Sequence, residues 1–219
     1  MVAIININLD ANFNFHEILT RTVYSEKLLF MRLFLSALIL IFSFQSLAKA
    51  EDIRDFEIEG MSIGDSLLDY FSKKVIIDKT LNYYKDKTIL PIYIEKEAEF
   101  NEYDGVQFHI NMQFKILSIE GVIWFKDNFE GCKKKQKEID NDFKSIFSSN
   151  ISRWESGINS HEADKSGKSI YNIIYYDFKS KDTISIGCYD WSKEMKHSDN
   201  LRVGIITNEL MTWINTNYE

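Results

Sequence analysis

Residues 170–189 read IYNIIYYDFKSKDTISIGCY. Two runs rich in β-branched and aromatic residues, 170–178 and 183–189, flank the polar stretch Lys179-Ser180-Lys181-Asp182, which is the pattern of a β-hairpin. A connection this short joins antiparallel neighbours, because parallel strands need a crossover of a dozen residues or more. In the second run Ile184, Ile186 and Cys188 alternate with other residues and so share one side of their strand. The hairpin sets the fold class, and its apolar side requires a cover.

Outward from the hairpin, the same pattern recurs. In residues 106–112, Val106, Phe108, Ile110 and Met112 alternate with Gln107, His109 and Asn111, as in a strand with one buried face. Residues 115–125, KILSIEGVIWF, are denser in apolar side chains and are interrupted at Gly121, where a bulge is expected. Residues 89–94 and 201–205 also read as strands, and 53–59 sets Phe56 and Ile58 against acidic neighbours. The cover is supplied by residues 129–147. Phe129, Cys132, Gln136, Ile139, Phe143, Ile146 and Phe147 fall on one helical stripe, with Asp127 or Asn128 as cap. Lys133, Lys134, Lys135 and Lys137 lie mostly off that stripe and read as a solvated face. A last helix, capped by Thr207 or Asn208, turns Leu210, Met211 and Ile214 inward. Residues 148–168 are polar and read as loop. The expected fold class is α+β, an antiparallel sheet of five to six strands covered by helices on one face.

Ahead of this domain, LFLSALILIFSF at 33–44 is uncharged, preceded by Met31-Arg32 and followed by Ala48-Lys49-Ala50. A basic start, a short apolar run and a small-x-small site make residues 31–50 a signal peptide cleaved after Ala50, with Ala48 as the other small residue. A membrane-spanning helix needs about 20 predominantly apolar residues, more than this run supplies. Residues 1–30 precede the signal awkwardly and read as a start-site extension. Residues 51–219 then form a single exported α+β domain, periplasmic or secreted, with no membrane span after cleavage. No cysteine follows the apolar run to carry a lipid.

Export places Cys132 and Cys188 where disulfides form and persist. Each lies on the inward side of its own element, so they are expected to pair and tie the long helix to the sheet. Neither has a second cysteine or a histidine at metal-ligand spacing, so no metal site and no cofactor is expected. The formal net charge is −7 at pH 7. Removing the first fifty residues takes away Arg21, Lys27, Arg32 and Lys49 but only Asp10, Glu17 and Glu26, which leaves the exported part more acidic still. That balance argues against nucleic acid or an anionic membrane surface as the main partner.

Two stretches look like hydrolase chemistry. Gly60-Met61-Ser62-Ile63-Gly64 matches the G-x-S-x-G nucleophile elbow. In that fold the elbow follows several strands, whereas Ser62 stands near the start of the exported part, and Ser62-Ile63-Gly64-Asp65 has the spacing of a helix capping box. Gly64-Asp65-Ser66-Leu67 resembles the first sequence block of the GDSL esterases and lipases, and the resemblance implies Ser66 as nucleophile on a parallel sheet. The family's D-x-x-H pair has no counterpart, since Val106, Ile158 and Glu194 precede the three later histidines by three residues. Its G-x-N-D block is also missing, with Gly157-Ile158-Asn159-Ser160 the nearest approach. A strand followed by Gly-Met-Ser and a short helix is similar to the start of small envelope lipoproteins of the outer-membrane assembly machinery, over about a dozen residues.

His109, His161 and His197 read as surface histidines; Lys165 replaces the second histidine that His161-Glu162 would need for a metalloprotease motif. Tyr189-Asp190-Trp191, with Trp154, is a candidate sugar-stacking surface set against ordinary hairpin packing. With no nucleophile and base paired in sequence, the expectation is an exported, non-catalytic binding or envelope-accessory protein whose partner is an envelope protein or small ligand. The alternatives are an esterase using Ser66 and a carbohydrate or peptide binder using the aromatic surface.

Overall fold

The computed structural model describes residues 52–217 other than 83, 96–98 and 148. The export segment, including Ala48 and Ala50, lies outside the described residues. In chain order the elements are β1 (Glu57–Ile58), β2 (Met61–Ser62), α1 (Lys73–Asp78), β3 (Ile89–Ile94), β4 (Gly105–Asn111), β5 (Ile116–Trp124), α2 (Phe129–Ile146), β6 (Ser152–Ser160), β7 (Ile170–Asp177), β8 (Thr183–Asp190), β9 (Asn200–Ile206) and α3 (Asn208–Asn217). β1 and β2 form a small hairpin, and the other seven strands form one sheet in the order β3-β4-β5-β9-β8-β7-β6. Every neighbouring pair is antiparallel. The α+β class holds, but the sheet has seven strands rather than five or six. The added strand is β6, in the stretch read as loop. As an edge strand it packs on one side only, and its largely exposed residues carry little apolar alternation.

One face of the sheet is the core. Val106, Phe108 and Ile110 of β4, Ile119 of β5, Ile184 and Ile186 of β8 and Leu201, Val203 and Ile205 of β9 are all buried in it. α2 lies across β8 and β9, started by Asn128, whose Oδ1 accepts from Gly131 N at 2.9 Å. Cys132 and Cys188 form a disulfide with their Cα atoms 5.9 Å apart, joining α2 to β8. One turn further on, buried Gln136 donates to the carbonyls of Asn172 (2.9 Å) and Ile186 (2.7 Å). Another turn brings Asp140, 3% exposed, against Arg153 Nε at 2.6 Å and the Tyr176 hydroxyl at 2.6 Å. The expected stripe thus mixes apolar and polar residues, and every one of its buried polar groups has a partner. Ile146, at its end, is 37% exposed.

The amino-terminal part covers the same face with Ile53, Ile58, Met61, Leu67 and Ile76. Residues 53–55 form a 3-10 turn rather than strand, because the Asp52 carboxylate captures Arg54 N at 2.9 Å. β1 therefore shrinks to two residues. Its hairpin turns at Glu59 (φ 53°) and Gly60 (φ 75°), the two positive φ values that a tight hairpin connection requires. The Glu59 carboxylate then accepts from the amides of Asn101, Glu102 and Tyr103 at 2.7–3.0 Å and fixes the approach to β4.

The bulge falls elsewhere than at Gly121. The register slips between His109, which faces Ser118, and Ile110, which faces Ile116, so Leu117 is the extra residue. Gly121 instead makes room for Tyr103, whose ring occupies the space of a Cβ. The bulge turns Leu117 to the second face, where it packs with Ile89 and Leu210 under α3. Thr207 Oγ1 caps α3 by accepting from Leu210 N at 3.2 Å, while Met211 is 38% exposed rather than inward. The helices accordingly do not share one face: α2 covers the core face and α3 one corner of the other. Beyond that corner, no helix among the described residues covers the second face.

Candidate functional site

The hydrolase-like stretches run through β2 and the 3-10 turn that follows it. Ser66 precedes a 3-10 turn and is paired through an isolated bridge with Lys115. Among the described residues it shares no hydrogen bond with a histidine, and the antiparallel sheet differs from the parallel one that the esterase resemblance implies. Ser62 is also not a helix cap, as its hydroxyl donates to the Phe56 carbonyl at 3.1 Å. Half of the expected box exists, with Asp65 Oδ2 accepting from Ser62 N at 2.9 Å, but it closes a turn instead of starting a helix. The helix cap stands ten residues on, where Ser72 Oγ accepts from Val75 N at 3.3 Å.

A depression lies on the face opposite the core. Cross-strand register places Gln107, Glu120, Arg202, Gly187 and Tyr189 on the side opposite the core, because each alternates with a buried apolar neighbour. Two glycines in mid-strand shape the surface. At Gly187 a Cβ would stand 2.9 Å from Tyr189 Cε2, so the missing side chain lets the Tyr189 ring lie down along β8. Gly204, beside Ser185 on β8 and Glu120 on β5, leaves a hollow in the middle of the sheet.

Trp191 lies nearly parallel to Tyr189 in an offset stack, with ring centroids 5.8 Å apart and planes 7° from parallel. His161 and His197 approach the indole at 4.4 and 4.9 Å. Facing these rings is a polar wall. Arg202 Nη1 bonds Glu120 Oε2 at 2.5 Å and Gln107 Oε1 at 3.3 Å, and its Nε reaches Asn200 Oδ1 at 3.1 Å. The guanidinium charge is met by a carboxylate, so the wall offers hydrogen-bonding groups without a net charge. Together with Trp124 these residues enclose a cleft of about 470 Å³.

The loops around the cleft are tied down by carboxylates. Asp199 Oδ1 accepts from Trp191 N at 2.8 Å and its Oδ2 from Asp127 N at 3.0 Å, which links the loop carrying Trp191 to the one before α2. Asp164 accepts from the amides of Ser166 and Ser169, and the Ser169 hydroxyl takes Ser192 N at 2.8 Å. The aromatic rings are thus mounted on prepared loops, which lowers the ordering cost of binding. Burial pushes the Tyr189 hydroxyl well above its ordinary pKa, with the Glu120 charge adding to it. Burial also lowers the pKa of His161, against the opposing pull of Glu162.

His109 is half-buried and held by two partners. Its Nδ1 meets Ser118 Oγ at 2.7 Å and its Nε2 meets the Tyr84 hydroxyl at 3.1 Å. A serine bonded to a histidine invites comparison with a nucleophile and its base, but burial brings the ring down to about 4, too weak to take a serine proton near neutrality. Ser118 itself is 6% exposed, and both ring nitrogens are engaged. The chain Tyr84-His109-Ser118 pins the strands beneath α3, where Tyr84 also packs edge-on against Trp213.

Tyr189 and Trp191 were legible from sequence as an aromatic pair, whereas Trp154 stacks on Tyr175 at the β6 edge, at 4.1 Å. Gly187, Gly204, Glu120 and Arg202 were missed. The available signal was a glycine at the polar position of each of two strands that otherwise alternate, which marks a close approach. Comparison with protein families, with curated proteins and with solved structures finds no match for this chain.

Proposed function

We propose that the protein is an exported, non-catalytic binding protein whose open sheet face holds a carbohydrate. The observation that carries the reading is the near-parallel Tyr189–Trp191 pair facing the Arg202–Glu120–Gln107 wall. A sugar ring presents an apolar face of C–H groups and a rim of hydroxyls. Aromatic faces suit the first, and neutral, paired polar side chains suit the second. An anionic ligand would gain less here, since the Arg202 charge is already met by Glu120. The disulfide supports an oxidising compartment, hence the periplasm or the outside of the cell.

Calorimetric titration of the purified protein with soluble glycans of the cell envelope tests the reading. Saturable binding that falls at least about tenfold in Trp191→Ala, with the melting temperature unchanged, is the expected result. Binding untouched by Trp191→Ala, or none at all, would contradict it.

A further inference from the structure

The cleft is the middle one of three depressions that share walls. Gln107 and Glu120 line both the cleft and the hollow over Gly204, which holds about 130 Å³. His161 and Tyr189 line both the cleft and a second hollow of about 210 Å³ above β7, bounded by Tyr171, Ile173 and Tyr175. The Gly204 hollow lies further along the same strands β4, β5, β9 and β8 that floor the cleft, whereas the other hollow lies one strand across, over β7. Along β9 the step from Asn200 in the cleft to Gly204 is four residues, about 13 Å, more than the width of one sugar ring.

Resting on the carbohydrate reading of the cleft, we infer that the ligand is an oligosaccharide, one ring over Tyr189–Trp191 and further rings in the flanking hollows. Each hollow supplies one part of the cleft's chemistry, aromatic rings over β7 and polar side chains over Gly204. Over β7 the Tyr171 ring stands 6.3 Å from Tyr189 and 5.8 Å from His161, with Glu162 beside them. Over Gly204 the hydroxyl of Ser185 and the side chains of Gln107 and Glu120 supply hydrogen-bonding groups.

A peptide fits this surface less well. Extended peptides are held by backbone hydrogen bonds at a sheet edge, and the central strands β5, β9 and β8 spend theirs on neighbours at both sides. The β6 edge is interrupted midway, where Asn159 Nδ2 donates to the carbonyls of Ser156 and Gly157 at 2.8 and 3.2 Å. The face, then, offers side chains alone.

The test is affinity against chain length, measured by calorimetry on the disulfide-bonded protein. The probes are one to six β-1,4-linked N-acetylglucosamine units and, separately, one to six α-1,4-linked glucose units. In one series affinity should rise at least about tenfold from the single unit to the trimer and then level off. Tyr171→Ala should lower the trimer affinity by a larger factor than the single-unit affinity, and so reduce that rise, and Tyr171→Phe should retain it. Affinity independent of length would overturn the inference while leaving the cleft as a single-ring site. A length dependence that Tyr171→Ala does not alter, in a variant that melts like the parent, would also overturn it. Absence of binding throughout both series would overturn this inference and the carbohydrate reading together.

Discussion

The Tyr189 ring lies over Gly187, where an added Cβ would stand 2.9 Å from Cε2 and 3.2 Å from the hydroxyl oxygen. The contact links a backbone feature to the cleft, because Tyr189 in turn stacks in parallel with Trp191. Gly187→Ala should displace the ring and disturb that stack. A loss of about 1–3 kcal/mol in stability is expected from the overpacking, with weakened glycan binding at temperatures where the variant is folded. Chemical denaturation followed by a binding titration separates the two effects.

Breaking the Cys132–Cys188 bond should cost about 2–4 kcal/mol, since it closes a separation of 56 residues in the unfolded chain. Urea unfolding with and without reductant reads the difference. Mass spectrometry of the unreduced chain should show the mass lower by two hydrogens and one crosslinked peptide pair.

Asp140 ties α2 to β6 and β7. Burial opposes its ionisation, but bonds from Arg153, Lys144 and Tyr176 outweigh it and hold the carboxyl at about 2, against an ordinary 3.8. A lowered folded pKa gives stability that is present above about pH 4 and lost as pH falls toward 2. Asp140→Asn should therefore cost about 2–3 kcal/mol near neutrality and flatten the acid limb of the stability curve. Denaturant midpoints between pH 2 and 6 measure both.

His109 acts over a higher window. Its folded pKa of about 4 lies below the 6.5 of a free imidazole, chiefly through burial and despite the nearby Glu120 carboxylate. As pH falls from 6.5 to 4 the unfolded chain takes up a proton that the folded chain refuses, so stability declines by roughly 2–3 kcal/mol across that interval. His109→Gln should lower stability at pH 7 and remove most of that decline.

The hairpin at 170–189, the long helix and the disulfide were legible because each depends on local alternation or on which side of an element a residue lies. β6 was not, since an edge strand with Trp154 at 46% and Ile158 at 61% exposure carries no core-facing pattern. Ser62 misled for a related reason: its spacing to Asp65 suits a cap, but the backbone there pairs with β1, and the side chain turned to Phe56. The cleft depends on register between distant strands, which sets Glu120 beside Arg202 across 82 positions of sequence. A single strand's pattern shows only that each residue faces away from the core.

The most direct measurement follows the four tryptophan indole N–H signals by nuclear magnetic resonance during titration with a saturating trimer from the favoured glycan series. Trp124 and Trp191 line the cleft, whereas Trp213 belongs to α3 and its Nε1 donates to Thr88 Oγ1 at 3.1 Å. The Trp191 and Trp124 signals should shift in a saturable way while Trp213 stays in place. Shifts confined to Trp213, or no shift in any of the four, would contradict a carbohydrate site on the open face of the sheet.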